Sequence, residues 1–564
     1  MKMSIPSIKL GLASAIAVAA LGMAGCGGDD GNSSSVADFN ADGSIIEKFA
    51  CTDSSSAGNR VICIGSDRDL TDATIAEELV TALSNAQTGD TIVLPQGRFN
   101  IVTELTFDGN GSLGQDTMVT GLTIKGAGMD RTILDFDGAT GGAAAKADGF
   151  FISNTNDIVL EDFGVYEAPN NAIKIKKADG IIMRRLATVW ETDYQETNGA
   201  YGLYPVETSN VLIEDSFVKG SADAGVYVGQ SSNIVVRNNI AEKNVAGIEI
   251  ENSTNADVYG NTAVGNTGGV LIFDLPIGNG LYGSGVRVFN NQIIKNNATN
   301  FAVQGTFAGG VHIVPPGTGV IVLSTSDVEI FDNTITDHKT TSIAITSYAM
   351  PDEAVLAIPN TNVGTEVLTY ENIHPYADIY LDGWSPLVRS INMHDNIISN
   401  DPLIYSPEGE LIKEIIMGFT YSGIKVPTIL YDGIGEAMAQ NGNFGLIAGG
   451  INQVAQGLYD NVLNPMGDVS GAKQIPNMAE FAAYANTDHV CSSNNGDNNQ
   501  TAVIPTDSLT GDPVFLENDN SMVCGGDTGR IPYVGSPATA TIAGVVYGCG
   551  EDDKTTKHCA IAAE

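Results

Sequence analysis

The chain has 564 residues, 65 of them glycine, and a formal net charge of −40. That charge repels nucleic acid and anionic membrane surfaces, which excludes both as main partners, while it is compatible with calcium or with plain solubility. An apolar content of 43% is ample for a core; a length that ordinarily implies several domains need not do so in a repeat protein, whose core grows along one axis.

Residues 1–25 read as a signal peptide. Lys2 and Lys9 precede an apolar run that is too short and wrongly flanked for a membrane span and ends at Cys26. Met23-Ala24-Gly25-Cys26 resembles the lipobox of bacterial lipoproteins. The resemblance implies lipidation of Cys26. With Gly27 behind it, it also implies an outer-membrane lipoprotein facing the periplasm or the surface, touching the membrane only through its anchor. Plain secretion is the alternative. Residues 26–45, which include GGDDGNSSS, form a flexible tether. The six remaining cysteines, an even number in an exported chain, point to disulfides. Local pairing gives Cys51–Cys63, Cys491–Cys524 and Cys549–Cys559. No CxxC spacing marks a metal or redox site, so no cofactor is expected beyond calcium.

Residues 46–90 form an N-terminal cap. Apolar residues at helical spacing predict a helix over 74–86, with Asp72 or Thr74 as its N-cap. A turn and a strand, GDTIVLPQG, follow. Helix followed by GDTIVLP-x-G resembles the opening of right-handed parallel β-helix proteins of the pectate-lyase type. The physical need is plain: an amphipathic helix covers the apolar end of the first coil.

Residues 91–400 carry the repeat. GLYPVETSNVLIEDS from Gly202, GVYVGQSSNIVVRNN from Gly225 and GIEIENSTNADVYGN from Gly247 align without gaps. Each has a glycine, an alternating strand, a polar turn and an Asn that opens a second strand. The anchors Asn210, Asn233 and Asn255 lie 23 and then 22 residues apart. Such a period means a solenoid. Inward positions are Val226 and Val228, Ile248 and Ile250, Val270 and Ile272. Asn239, Asn261, Asn291, Asn333 and Asn396, each six residues past an anchor, are expected to form an amide ladder. The later anchors, Gly285, Asp327 and Ser390, are spread by insertions at 275–284, 305–326 and 347–389, all placed directly after the Gly-type strand. A fourth insertion begins at Trp190, at the other end of that strand. Loops gathered on one face of a solenoid mark its binding face. Residues 401–564 are read as a disulfide-pinned C-terminal cap, with two short helices within 433–463.

The outward positions of the Gly-type strand read Lys174 and Lys176, Tyr204, Tyr227, Glu249 and Glu251, Leu271 and Phe273, then Gln304. Glu207, Gln230, Asn252 and Asp274 close the strands. Aromatic faces stack on sugars, and acids and amides bind hydroxyls. This surface is a candidate polysaccharide groove with Tyr204, Tyr227, Lys176, Gln230, Asn252, Asp274 and His312 as binding residues. Glu249 and Glu251, with roots about 6.6 Å apart, match the carboxyl spacing of an inverting glycosidase, although any outward pair has that spacing and most are solvated. Lys174 beside Lys176, with Arg184 and Arg185 near, is a candidate for neutralising a uronate in β-elimination or C5 epimerisation. Glu249, Glu251 and Lys174 are therefore the candidate catalytic residues.

GAYGLYPV, DAGVYVGQSSNIVVRNN, VAGIEIENS and GGVLIFDLP together resemble the exported bacterial parallel β-helix repeat-containing proteins over about residues 90–400. The resemblance implies export and an all-β fold: a right-handed parallel β-helix solenoid with a capping helix, loops on one side and a C-terminal cap. It brings no established reaction. The chain also lacks the Asp-Pro-His-Asp run of mannuronan epimerases and the Gly-His-Gly of polygalacturonases. Two functions follow as expectations. One is an envelope-anchored protein that binds a polysaccharide or docks an exported partner protein through its loops. The other is a polysaccharide lyase, epimerase or glycosidase acting in the 174–274 groove. Loops that wall an open floor favour the second; loops that fill it count against a carbohydrate site there.

Overall fold

The computed structural model describes residues 51–56, 58–65, 71–110, 118–137, 139, 147–303, 308–357, 374–399, 428–433 and 490–496. It also describes the short strands Thr501–Val503, Leu516–Glu517, Ala540–Ile542 and Val545–Tyr547. The expected signal peptide, Cys26, the tether, Gln304, the helices within 433–463, and Cys524, Cys549 and Cys559 lie outside the described residues.

Three parallel sheets run the length of the solenoid, and each coil adds one strand to each. Sheet 1 stacks Leu203–Val206, Ala224–Gly229, Ala246–Glu251, Gly268–Phe273, Thr318–Leu323 and Thr341–Thr346. Sheet 2 stacks Ser209–Glu214, Ser232–Arg237, Thr254–Tyr259, Ser284–Phe289, Ser326–Phe331 and Arg389–His394. Sheet 3 holds three-residue strands, from Phe217–Lys219 to Ile397–Ser399. In two earlier coils, Phe150–Tyr166 and Ile173–Val189 pass through all three sheets as bent strands. The inward residues of sheet 1, among them Val226, Ile248, Val270, Val320 and Ile343, are fully buried and stack in one continuous core.

The coil corners follow from backbone chemistry. The anchors Asn210, Asn233, Asn255, Gly285, Asp327 and Ser390 all have positive φ, from 54° to 72°. Asn, Gly and Asp enter that left-handed region at least cost. The amide ladder is present. Asn261 donates to Asn291 Oδ1 at 3.0 Å and to the Val236 carbonyl at 2.9 Å, while its own Oδ1 accepts from Asn239. A second ladder, Asn244–Asn266–Asn296, ends on His338 and was not read from the sequence. It explains the repeat glycines. A Cβ on Gly247 would sit 2.6 Å from the Gly269 carbonyl oxygen and 2.9 Å from the Asn266 amide nitrogen.

The cap helix spans Asp72–Ser84 with Thr71 as N-cap, two residues earlier than expected, because the Thr71 hydroxyl accepts from the Thr74 amide. Ile75, Leu79 and Leu83 bury its inner face in the solenoid core. Cys51 and Cys63 are joined, as expected, beside the first coil. Cys491 is also disulfide-bonded.

One insertion is placed differently from the expectation. The strand of that coil is Thr318–Leu323, not the segment around 301–305, so the insertion precedes the strand instead of following it. Two insertions, after Phe273 and after Thr346, therefore leave one end of sheet 1. Those after Val189 and after Ile294 leave the other.

Candidate functional site

The register of sheet 1 aligns Lys174 with Tyr204, and then Tyr227, Glu249, Leu271, Ile321 and Ala344 in one outward column. Gly229, Glu251, Phe273 and Leu323 fill the next outward column. The alternation is as expected, but the exposure is not. Insertions from both ends close over the later coils. Val311 and Val314 arrive from one side, and Tyr348, Val355, Tyr380, Trp384 and Leu387 from the other, in one apolar cluster with Tyr227, Leu271 and Phe273. The Trp384 indole N–H donates to the Asp274 carbonyl at 3.2 Å and fixes this cover to the strand end. The expected open floor is filled at its later coils, because its own outward residues there are apolar and demand burial.

This corrects several candidate residues. Glu249 is 1% exposed and Tyr227 4%, so neither presents a free surface. Asp274 is 3% exposed and accepts from the Gly283 amide at 2.9 Å, which fixes the turn after its strand. Asn252 is buried and serves the same loop, through the Leu275 amide and the carbonyls of Leu275 and Leu281. His312 is half-buried on a single helical turn, Val311–Ile313, and burial lowers its pKa. The cations are engaged as well. Lys176 pairs with Glu207 at 2.8 Å, Lys174 lies 5.0 Å from the centre of the Tyr204 ring, and Arg184 and Arg185 pair with Glu161 and Asp162.

At the edge of this cover, acids and tyrosines converge. Tyr201, Tyr204 and Tyr227 form a ring cluster with centroids 4.5–4.9 Å apart. The Tyr227 ring lies across Gly229, where a Cβ would come within 2.3 Å of it. That passage lets the Tyr227 hydroxyl donate to Glu251 Oε1 at 2.7 Å. Gln230 Nε2 donates to the same oxygen at 3.3 Å. Behind Glu251, both carboxyl oxygens of Glu249 and one of Asp223 have no hydrogen-bond partner. Tyr201 interacts with the Asp223 carboxyl group. Burial, with the neighbouring negative charges, pushes Glu249 well above the ordinary carboxyl range and raises Asp223. Burial raises Glu251 to about 7, against the pull of the Tyr227 and Gln230 hydrogen bonds. Among the described residues, no group of three His, Cys, Asp or Glu side chains is arranged to hold a metal ion.

Beside this cluster, at the bend between sheets 1 and 2, lies an open groove of about 820 Å³. Lys177, Asp179, Glu207, Ser209, Gln230, Ser232, Asn252 and Thr254 line it from four consecutive coils, and Asn279 and Tyr282 wall it from the first insertion. Of the sequence candidates, Gln230 and Asn252 belong to this groove. Asp223, Tyr201, Asp179 and Tyr282 were missed. Asp223 had a signal: it is the one acid in a column otherwise occupied by Ala200, Val245 and Thr267.

Residues 138–275 match the family described as the right handed beta helix region. The fold is therefore a right-handed parallel β-helix. No curated protein matches the chain. Among solved structures, it is similar to the A-module of a mannuronan C-5 epimerase from Azotobacter vinelandii, with 15% identity over 63% of this chain and 87% of that one, at a TM-score of 0.30. A polygalacturonase from Erwinia carotovora is 12% identical over 63% of this chain and 96% of its own, at 0.36. DFA-IIIase from Arthrobacter chlorophenolicus A6 is 12% identical over 62% and 91%, also at 0.36. These likenesses assign no activity to this chain.

Proposed function

We propose that this is an exported β-helix protein that binds a neutral polysaccharide along the groove from Lys177 to Tyr282. The open groove itself carries the reading. Its amides, hydroxyls and one tyrosine ring suit sugar hydroxyls and sugar faces. Its lining residues, from Asn156 to Thr254, belong to five coils, so it extends about 19 Å along the axis at roughly 4.8 Å per step. A neutral polymer is preferred over a uronan for two reasons. The cations near the groove are already paired, and the chain's charge of −40 repels a polyanion. The inserted loops turn Tyr348, Tyr380 and Trp384 inward onto sheet 1, while the groove stays open beside them. Export rests on the N-terminal signal and on the Cys51–Cys63 bond, which belongs to an oxidising compartment. Lipidation at Cys26 belongs to the same proposal; a Cys26→Ala protein that still fractionates with membranes would remove it.

The test is titration calorimetry of the mature protein with soluble β-1,3-glucan, xylan, galactomannan, alginate and polygalacturonate. A neutral glycan is expected to bind and the two uronans are not. Gln230→Ala, which removes one hydrogen-bonding side chain, is expected to weaken binding about tenfold. Ser232→Trp, which fills the groove, should abolish it. Silence towards every glycan, or unchanged affinity in both variants, overturns the reading.

A further inference from the structure

We infer that Asp382, on the third insertion, is a positioning residue for glycan binding: it holds Tyr282, the aromatic platform of the groove, in place from outside the groove lining. The inference rests on the groove reading above. Tyr282 is the one aromatic residue among the described residues that line the groove, and Asn279, Gly280 and Leu281 line it beside Tyr282. An aromatic ring supplies the apolar contact with a sugar face that amides and hydroxyls cannot.

The first insertion does not order that ring alone. Residues 274–283 form no helix or strand, and residues 278–281 are exposed. Gly278 and Gly280 have φ of 70° and 72°, a region that glycine enters at little cost and with little stiffness. The bonds at the root of the insertion join Gly283 to Asp274, and Leu275 and Leu281 to Asn252. They fix its backbone and do not involve the Tyr282 side chain.

The third insertion supplies that hold. The Tyr282 hydroxyl donates to Asp382 Oδ2 at 3.1 Å, across 100 residues of chain. Burial, with the Asp382 charge, raises the pKa of this hydroxyl, so it keeps the proton it donates. Asp382 closes the short helix Ala377–Leu381, and its amide donates to the Asp378 carbonyl at 3.0 Å. Two residues on, Trp384 is fully buried and bonds to the Asp274 carbonyl, at the root of the first insertion. The two insertions also meet at the tip: a Cβ on Gly278 would lie 3.0 Å from Ile379 Cδ1. Ile277, Tyr282 and Ile379 pack against the same apolar cluster. Tyr282 therefore stands between an anchored support and the open groove, and Asp382, which does not line the groove, acts through it. A side chain ordered before the glycan arrives loses little rotamer freedom on stacking. Without Asp382 that ordering must occur on binding, which weakens affinity about three- to tenfold.

The test is calorimetry of variants with the neutral glycan that the wild-type protein binds. Asp382→Ala and Tyr282→Phe, which each remove one side of the same hydrogen bond, are expected to lose affinity about three- to tenfold. The double variant should lose no more than either alone. Asp382→Asn, which keeps an acceptor oxygen, should stay within about twofold of wild type. Tyr282→Ala, which removes the ring, should lose more than Tyr282→Phe. In the unliganded protein, hydrogen exchange at Asn279–Tyr282 should quicken in Asp382→Ala while the strands from Ala224 to Phe273 keep their protection. Unchanged affinity in Asp382→Ala, additive losses in the double variant, or lost protection throughout those strands overturns the positioning role. If Gln230→Ala still weakens binding, the groove reading then stands without it. Silence of the wild-type protein towards every glycan removes both.

Discussion

Glu249 shows how far burial can move a single side chain from its ordinary chemistry. Its carboxyl group is buried, in register between Tyr227 and Leu271, without a hydrogen-bond partner, so the charged form is strongly disfavoured. The folded chain therefore binds more protons here than the unfolded chain, in which a glutamate titrates near 4.5. By linkage, the stability contributed by this site is full below that value and is lost as pH rises through the higher native value. Glu251 and Asp223, both raised, act in the same direction. We expect Glu249→Gln, which removes the ionisation and keeps the shape, to raise Tm more at pH 8 than at pH 5, by a few degrees in calorimetry. An equal change at both pH values would remove this account. The outward placement of Glu249 and Glu251 was legible, because strand alternation is local. Their burial was not, since it depends on loops about 100 residues further along the chain.

At the level of the coil, the Asn ladder is a buried polar element in which every member is satisfied. Removing one amide leaves several donors and acceptors of its neighbours unpaired. Asn261→Ala is expected to destabilise the solenoid by about 2–3 kcal/mol, read as a lowered urea midpoint at constant m. A loss below about 0.5 kcal/mol would mean that the ladder is replaced by water or relaxes. The ladder and the inward Val and Ile stacks were readable because they repeat at the coil period. The displaced insertion was misread for an equally physical reason. Phe301-Ala302-Val303 carries the same apolar alternation as the true strand, Thr318–Leu323. What separates the two is backbone approach: at Gly319 a Cβ would meet the Ser342 carbonyl oxygen at 2.4 Å, so only a glycine can stand there. That constraint belongs to the neighbouring coil and is invisible along the chain.

At the level of the molecule, each coil contacts chiefly its two neighbours, so stability is a sum along one axis and the ends are the weak points. The cap helix and the Cys51–Cys63 bond protect one of them. A bond closing 12 residues is worth about 3 kcal/mol on chain-entropy grounds. Its reduction should raise hydrogen exchange in Val61–Cys63 and Thr91–Val93 while the strands from Ala224 to Phe273 stay protected. Uniform loss of protection would show that the solenoid unfolds as one unit. The sequence by itself determined the β-helix, its period, its inward core, its ladder and its capping helix, because each is a local pattern repeated until it cannot be chance. Only the tertiary structure decided which outward residues meet solvent. The insertions fold back because the outward residues of the later coils are apolar, and their cover closes one surface. The groove and the Asp223–Glu249–Glu251 cluster lie at the edge of that cover.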